Sequence, residues 1–212
     1  GKSLTLGINY KKEANKTKNL TTNDINNFFE FSAATVFRDS SEKFMPTSST
    51  LNKKNSNLFG SIKNHYYSDD ESNLFESLKF DYYFSLDDKL ENLEYSSLVG
   101  ELSFNKLTTS FNLIEEKGPI GSTSTIENSF IYQFDELNYL SFSTRRNKKI
   151  SLTEYYDLLY EYKNDCLTAG IKYKKTYYQD RDLKPTEDLM LTFTFYPLTT
   201  YEQEIDQSLY RN

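Results

Sequence analysis

The sequence predicts an all-β protein: about eleven antiparallel strands in up-and-down order, forming the wall of a larger transmembrane β-barrel. Three observations predict it. Ten or eleven stretches alternate apolar and polar residues, as strands with two unlike faces must. These stretches are long, about 9 to 13 residues, against about 5–6 in soluble sheets and about 9–11 for a tilted membrane-spanning strand. The connections also alternate, tight at one end and longer at the other, which is how outer-membrane barrels are built.

The elements follow in order. A strand near 3–11 opens the chain, and residues 12–27, rich in Asn, Thr and Lys, read as a polar insertion that breaks the parity of the connections. A strand near 28–38 is apolar on both sides, 39–56 is the longest loop, and 57–67 is a mixed strand holding His65. From there the apolar side is clean. Strands near 74–86, 94–104 and 107–116 present Leu78, Phe80, Tyr82 and Phe84, then Leu98, Leu102 and Phe104, then Leu107, Phe111 and Leu113. Strands near 125–134 and 138–146 present Ile126, Phe130, Tyr132 and Phe134, then Leu140 and Phe142. The strand near 153–163 carries Tyr156, Leu158, Tyr160 and Tyr162, and that near 166–178 carries Leu167, Ala169, Ile171 and Tyr173. The last, near 187–198, points Leu189, Leu191, Phe193 and Phe195 one way and Met190, Thr192, Thr194 and Tyr196 the other. Residues 199–212 are expected to be a tail.

Charges sort to the opposite face: Lys79, Asp81, Glu101, Glu127, Arg145, Asp157, Glu161, Lys172 and Lys174, which are the candidate lumen-lining residues. Glu76 and Glu154 are exceptions near strand ends. Tight turns fall at Asn105–Lys106, Asp135–Glu136 and Asn164–Asp165; longer links span 87–93, 117–124, 147–152 and 179–186. Alternation alone also fits a soluble β-sandwich with the apolar face turned inward. Tyr156, Tyr162 and Tyr173 favour lipid, because amphipathic rings suit a headgroup girdle while several buried tyrosine hydroxyls would need partners.

Composition narrows the classes. Only 37% of the 212 residues are hydrophobic, yet 16% are aromatic, with 18 Tyr, 16 Phe and no Trp. A net charge of −6 argues against nucleic acid, which needs clustered Lys and Arg. No run approaches the roughly 20 apolar residues of a membrane helix, which excludes helical membrane proteins only. With no initiator Met and no signal peptide, the chain reads as a segment of something longer. Catalysis, cofactor and metal are not expected. One histidine, His65, and one cysteine cannot build a Cys/His metal cluster. Asp157 and Glu161 share a face but stand roughly 13 Å apart along one strand. Gly118-Pro-Ile-Gly121 reads as a turn, not a phosphate loop.

The stretch Glu154-Tyr-Tyr-Asp-Leu-Leu-Tyr-Glu-Tyr-Lys-Asn-Asp-Cys-Leu-Thr-Ala-Gly-Ile-Lys-Tyr173 resembles the penultimate hairpin of the LptD (OstA) family of lipopolysaccharide-assembly outer-membrane proteins. Tyr178-Gln-Asp-Arg-Asp-Leu-Lys-Pro185 and the strand Leu189-Met-Leu-Thr-Phe-Thr-Phe195 are similar to the loop and final strand that follow in that family. Phe37-Arg38-Asp39, the Ser/Thr-rich 47–50 and Asn57-Leu-Phe-Gly60 resemble it more weakly, so the likeness is specific from about 153 to 198. It implies the carboxy-terminal part of an integral barrel of the bacterial outer membrane, with 199–212 in the periplasm. The expected task is to insert lipopolysaccharide into the outer leaflet through a polar lumen and a lateral seam along Leu189, Leu191, Phe193, Phe195 and Pro197. The implied partners are lipopolysaccharide, outer-membrane lipid, a periplasmic bridge protein and a lipoprotein plug. Cys166 then lies at the periplasmic rim as a disulfide candidate toward a cysteine outside these residues. A generic porin or transporter barrel and a soluble β-sheet binding module stand as the alternatives.

Overall fold

A computed structural model describes residues 2–14, 27–68, 75–177, 185–195 and 199–205. Twelve strands follow one another in a single antiparallel sheet whose spatial order is the sequence order. They are β1 (Ser3–Ala14), β2 (Asn27–Arg38), β3 (Leu58–Tyr67), β4 (Phe75–Leu86), β5 (Leu93–Phe104) and β6 (Leu107–Glu116), then β7 (Ser124–Gln133), β8 (Asn138–Asn147), β9 (Leu152–Lys163), β10 (Leu167–Thr176), β11 (Glu187–Phe195) and β12 (Thr199–Ile205). Among the described residues the helical content is one 3-10 turn, Thr47–Ser49. Alternation therefore located eleven of the strands to within a few residues. The sheet is open, β1 and β12 each pairing on one side, so these strands do not themselves close a barrel.

Two expectations need correction. Residues 12–14 belong to β1, because Lys12, Glu13 and Ala14 pair with Phe29, Phe28 and Asn27; the rest of the expected insertion, 15–26, lies outside the described residues. The expected tail starts as a strand: Thr199 to Ile205 pair with Phe195 to Leu189. Leu189, Leu191, Phe193 and Phe195 thus lie on an interior strand, not on the sheet's last one. Only Tyr201 and Ile205 of β12 are apolar, at every fourth position rather than every second, so its pattern was too sparse to read. Tyr196, Pro197 and residues 179–184 of the expected loop 179–186 lie outside the described residues.

By contact density the chain falls into two units, Gly1–Leu102 with Phe111–Thr125, and Ser103–Ser110 with Ile126–Asn212. Among the described residues no apolar side chain is buried. The buried side chains are small or polar: Thr50, Ser56, Asn57, Ser61, Ser85, Asp87, Ser96, Ser97 and Thr125. Within each unit the strands lie in one sheet, and a face with no second layer has nothing to pack against.

Within the first unit, aromatic rings on the apolar face lie over glycines. Gly60 pairs with Phe84, and a Cβ added there would meet the ring at 2.3 Å; Gly100 stands in the same relation to Phe111. Gly60→Ala is expected to cost about 1–2 kcal/mol, the usual cost of overpacking. Denaturant midpoints of Gly60→Ala with and without Phe84→Leu check it, because the smaller partner should recover most of the loss.

Candidate functional site

Register sorts the side chains, since residues paired across antiparallel strands share a face. In the first unit one face carries Leu4, Leu6, Ile8 and Tyr10 of β1, Phe29 and Phe31 of β2, Ile62 of β3, and Leu78, Phe80, Tyr82 and Phe84 of β4. The other carries Lys11, Glu30, Lys63, His65, Lys79 and Asp81. In the second unit the apolar rows are Leu140 and Phe142, then Tyr156, Leu158, Tyr160 and Tyr162, then Ala169, Ile171 and Tyr173, then Leu189, Leu191, Phe193 and Phe195. Opposite them stand Arg145, Asp157, Glu161, Lys172 and Lys174. Glu127 joins that hydrated face by accepting the hydroxyl hydrogen bond of Tyr155 at 2.9 Å. Glu101, on the first unit's part of β5, is exposed and alternates with Gly100, which meets Phe111.

The polar faces are hydrogen-bonded rather than bare. In the first unit His65 Nε2 and Asp81 Oδ1 are 2.7 Å apart, and the Phe28 ring lies tilted at 43° against the imidazole, centroids 4.4 Å apart. In the second, Lys172 Nζ reaches Asp157 Oδ2 at 3.1 Å and Arg145 reaches Glu154 at 2.9 Å. Glu161 is the partner of the Tyr139 hydroxyl instead, so Asp157 and Glu161 are engaged separately and do not form a carboxylate pair. Of the expected girdle residues, Tyr156 packs edge-on to Tyr177, Tyr162 accepts from Asn164 Nδ2 at 3.0 Å, and the Tyr173 hydroxyl donates to Glu187 at 3.0 Å. Each ring is thus apolar along its body and tied at its hydroxyl, or at its edge, near a strand end.

A tighter polar cluster closes one end of the first unit, and the alternation gave no sign of it. Asn57 is fully buried and donates from Nδ2 to Ser85 Oγ at 3.0 Å and to Glu94 Oε2 at 2.5 Å. Its backbone N–H points to Thr50 Oγ1 at 3.4 Å, while the Ser56 hydroxyl accepts from Val36 N–H at 2.9 Å. Thr50 holds a left-handed φ of 55°, costly for a β-branched residue and retained here at the end of the 3-10 turn. Lys53 pairs with Asp88 at 3.7 Å, and the Lys117 N–H bonds to the Glu94 carbonyl. The long loop 39–57 is thereby fastened to the links 87–92 and 117–123. The Asp87 carboxyl titrates below its ordinary range, first because Asn92 donates to it and further because backbone N–H groups do.

At the opposite ends of their strands the turns are built on Asx geometry. Asn164 Oδ1 accepts from the N–H groups of Cys166 at 2.9 Å and Leu167 at 2.8 Å, which leaves Cys166 exposed at the turn. Asp135 Oδ1 accepts from the N–H groups of Leu137 and Asn138 and from Asn138 Nδ2. The Asn138 side chain, then the Leu137 N–H, holds the Asp135 carboxyl below its ordinary value. A carboxyl whose folded pKa is depressed adds stability above its unfolded pKa of about 3.9, and loses it as pH falls through the lower folded value. Asp135→Asn keeps an acceptor but cannot titrate. It should remove that acid-dependent part of unfolding, read by comparing denaturant midpoints of the two proteins at pH 6 and in acid.

What these residues define is an amphipathic sheet with one apolar and one hydrated side, whose hydrated side is organised by charge pairs and capped by a buried amide. Comparison with models of protein families, with curated proteins and with solved structures finds no match for the chain.

Proposed function

We propose that the chain is wall of an outer-membrane β-barrel that moves lipopolysaccharide into the outer leaflet, the hydrated face lining the conduit and the apolar face meeting acyl chains. One observation carries the membrane part: among the described residues every apolar side chain is at least partly exposed, while what is buried is polar. Water-soluble sheets do the reverse. Large exposed apolar surface of this kind marks contact with lipid or another protein. The lipopolysaccharide part is supported by the resemblance of 153–198 to the LptD family, with Cys166 at a turn on the side assigned to the periplasm. A porin-like channel would use the same two faces without that cysteine turn.

Leu158 and Leu159 are neighbours on opposite faces. Leu158→Trp in vesicles should be quenched by brominated acyl chains and spared by aqueous iodide, and Leu159→Trp should behave the other way. Equal quenching of both by iodide would sink the membrane reading. Depletion in the source cell then separates the transporters, since an assembly protein leaves new lipopolysaccharide out of the outer leaflet and a porin alters only solute entry.

A further inference from the structure

The second unit carries a guanidinium that its own fold leaves unpaired. Strands β8 and β9 pair regularly from Asn138 with Tyr162 to Arg145 with Tyr155. They then slip by one residue, so that Arg146 pairs with Thr153 and Asn147 with Leu152. Continued without the slip, the ladder would set Glu154 directly across from Arg146 as an ion pair. The bulge prevents it. Two residues of a bulged strand oppose one of its partner, and Glu154 turns with Tyr155 toward Arg145. Its carboxylate meets Arg145 Nε at 2.9 Å and Asn147 Nδ2 at 3.5 Å, on the hydrated face.

Arg146 stays behind on the other side. It alternates with Arg145 and Asn147 and continues the row of Leu140, Phe142 and Thr144 to the end of β8. It is exposed and makes no hydrogen bond or ion pair with any described residue. Among the described residues of β9 to β11, the carboxylate on that side of these strand ends is Glu187. Lys175 holds it at 3.2 Å and the Tyr173 hydroxyl at 3.0 Å. The turn after β8 adds Lys148 and Lys149, both exposed.

On a sheet in water such an arginine would simply be hydrated. At the rim of a face that meets acyl chains it stands at headgroup depth, close to the Tyr156 ring, where the anions at hand are phosphates. The guanidinium fork fits two phosphate oxygens, and its bonds to them are charge-assisted. We propose that Arg146 binds the phosphate of one membrane-lipid headgroup at the rim of the second unit's apolar face. The inference rests on the reading that this face meets lipid, and adds which residue holds a headgroup and by which group.

The chain has no Trp, so Tyr156→Trp installs a single reporter, opposite Thr144 and two positions short of Arg146. The full chain, folded in vesicles, is quenched by dibrominated phosphatidic acid or by dibrominated phosphatidylcholine, whose phosphate is masked by its own choline. Phosphatidic acid should associate roughly two- to fivefold more strongly, the range for one ionic contact at a wet site. Arg146→Gln should bring the ratio near one in a chain that keeps its β-sheet circular dichroism. Lys163→Gln, which removes the same charge at the far end of β9, should leave the ratio as it was. An equal effect of the two variants, or a ratio near one at the outset, overturns the proposal. So does a ratio that rises with Glu154→Gln, since Arg146 would then have been paired with Glu154 after all. Inorganic phosphate added at constant ionic strength should not change the ratio; its loss would mean that Arg146 takes the free anion rather than a headgroup. If no brominated lipid quenches the reporter, the membrane reading falls. If all quench it alike, only the Arg146 assignment falls.

Discussion

Asn57→Asp should be among the most damaging single changes, loosening the loop 39–57 at neutral pH by about 4 kcal/mol. The native amide gives both its N–H groups away, one to Ser85 and one to the Glu94 carboxylate at 2.5 Å. Asp keeps the shape and loses both donors, and it sets a second carboxylate against the first. Two like charges about 4 Å apart repel by about 4 kcal/mol at an effective dielectric of 20. Asn57→Ala removes the donors without adding charge, and should cost about 2–3 kcal/mol, the scale of a buried hydrogen bond to a charged group. The two variants part company with pH. When either the introduced carboxyl or that of Glu94 takes up a proton, repulsion becomes a hydrogen bond. The deficit of Asn57→Asp should therefore shrink on acidification while that of Asn57→Ala stays level. Limited proteolysis within 39–56, followed at pH 7 and pH 5, reads both. A deficit independent of pH in Asn57→Asp would mean that the Glu94 contact is not the source of the damage.

The second large effect concerns the apolar face. Leu191→Arg, at the middle of β11, should destabilise the chain folded in a bilayer by about 2–4 kcal/mol, the cost of a cation at the hydrocarbon midplane. Phe195→Arg, on the same face but at the strand end, should cost about 0–1 kcal/mol, because arginine there reaches headgroups. Ser141→Arg, on the hydrated face, should fall within about 0.5 kcal/mol of the unchanged chain, as surface substitutions do. A graded series of this kind measures depth in lipid. Were the face packed against protein instead, the cost would follow local burial and not distance from the strand centre. Denaturant titration in vesicles gives the three values; equal penalties for Leu191→Arg and Phe195→Arg would be decisive against lipid contact.

How much could be read from the sequence depended on what each part of the structure rests on. Strand alternation is a one-dimensional property, so rows such as Leu189, Leu191, Phe193 and Phe195 revealed their face directly, and register kept them together. The polar partners of those rows followed by parity, which is why Lys79, Asp81, Asp157 and Lys172 fall on the faces expected of them. What failed to show was whatever depends on chain segments meeting from a distance. Asn57 and Glu94 are 37 positions apart, and nothing in Ser56-Asn57-Leu58 distinguishes an amide that will be buried from one in an ordinary loop. Strand β12 escaped notice for a different reason: Glu202, Gln203 and Glu204 interrupt its apolar period, as charge on a sheet's outer strand commonly does. The segment 28–38, apolar on both sides, was legible as an irregularity, and its meaning came only with the neighbours. Ala34 pairs with Phe59 on the polar face, and Phe28 lies tilted against His65.

A chain whose buried side chains, among the described residues, are serines, threonines, an asparagine and an aspartate draws little of its stability from an apolar core. Melting an ordinary globule exposes oil to water and raises the heat capacity. If the apolar face meets acyl chains as proposed, that oil stays outside, so calorimetry of the chain in lipid should show a transition with little heat-capacity change and a midpoint that tracks the thickness and fluidity of the bilayer.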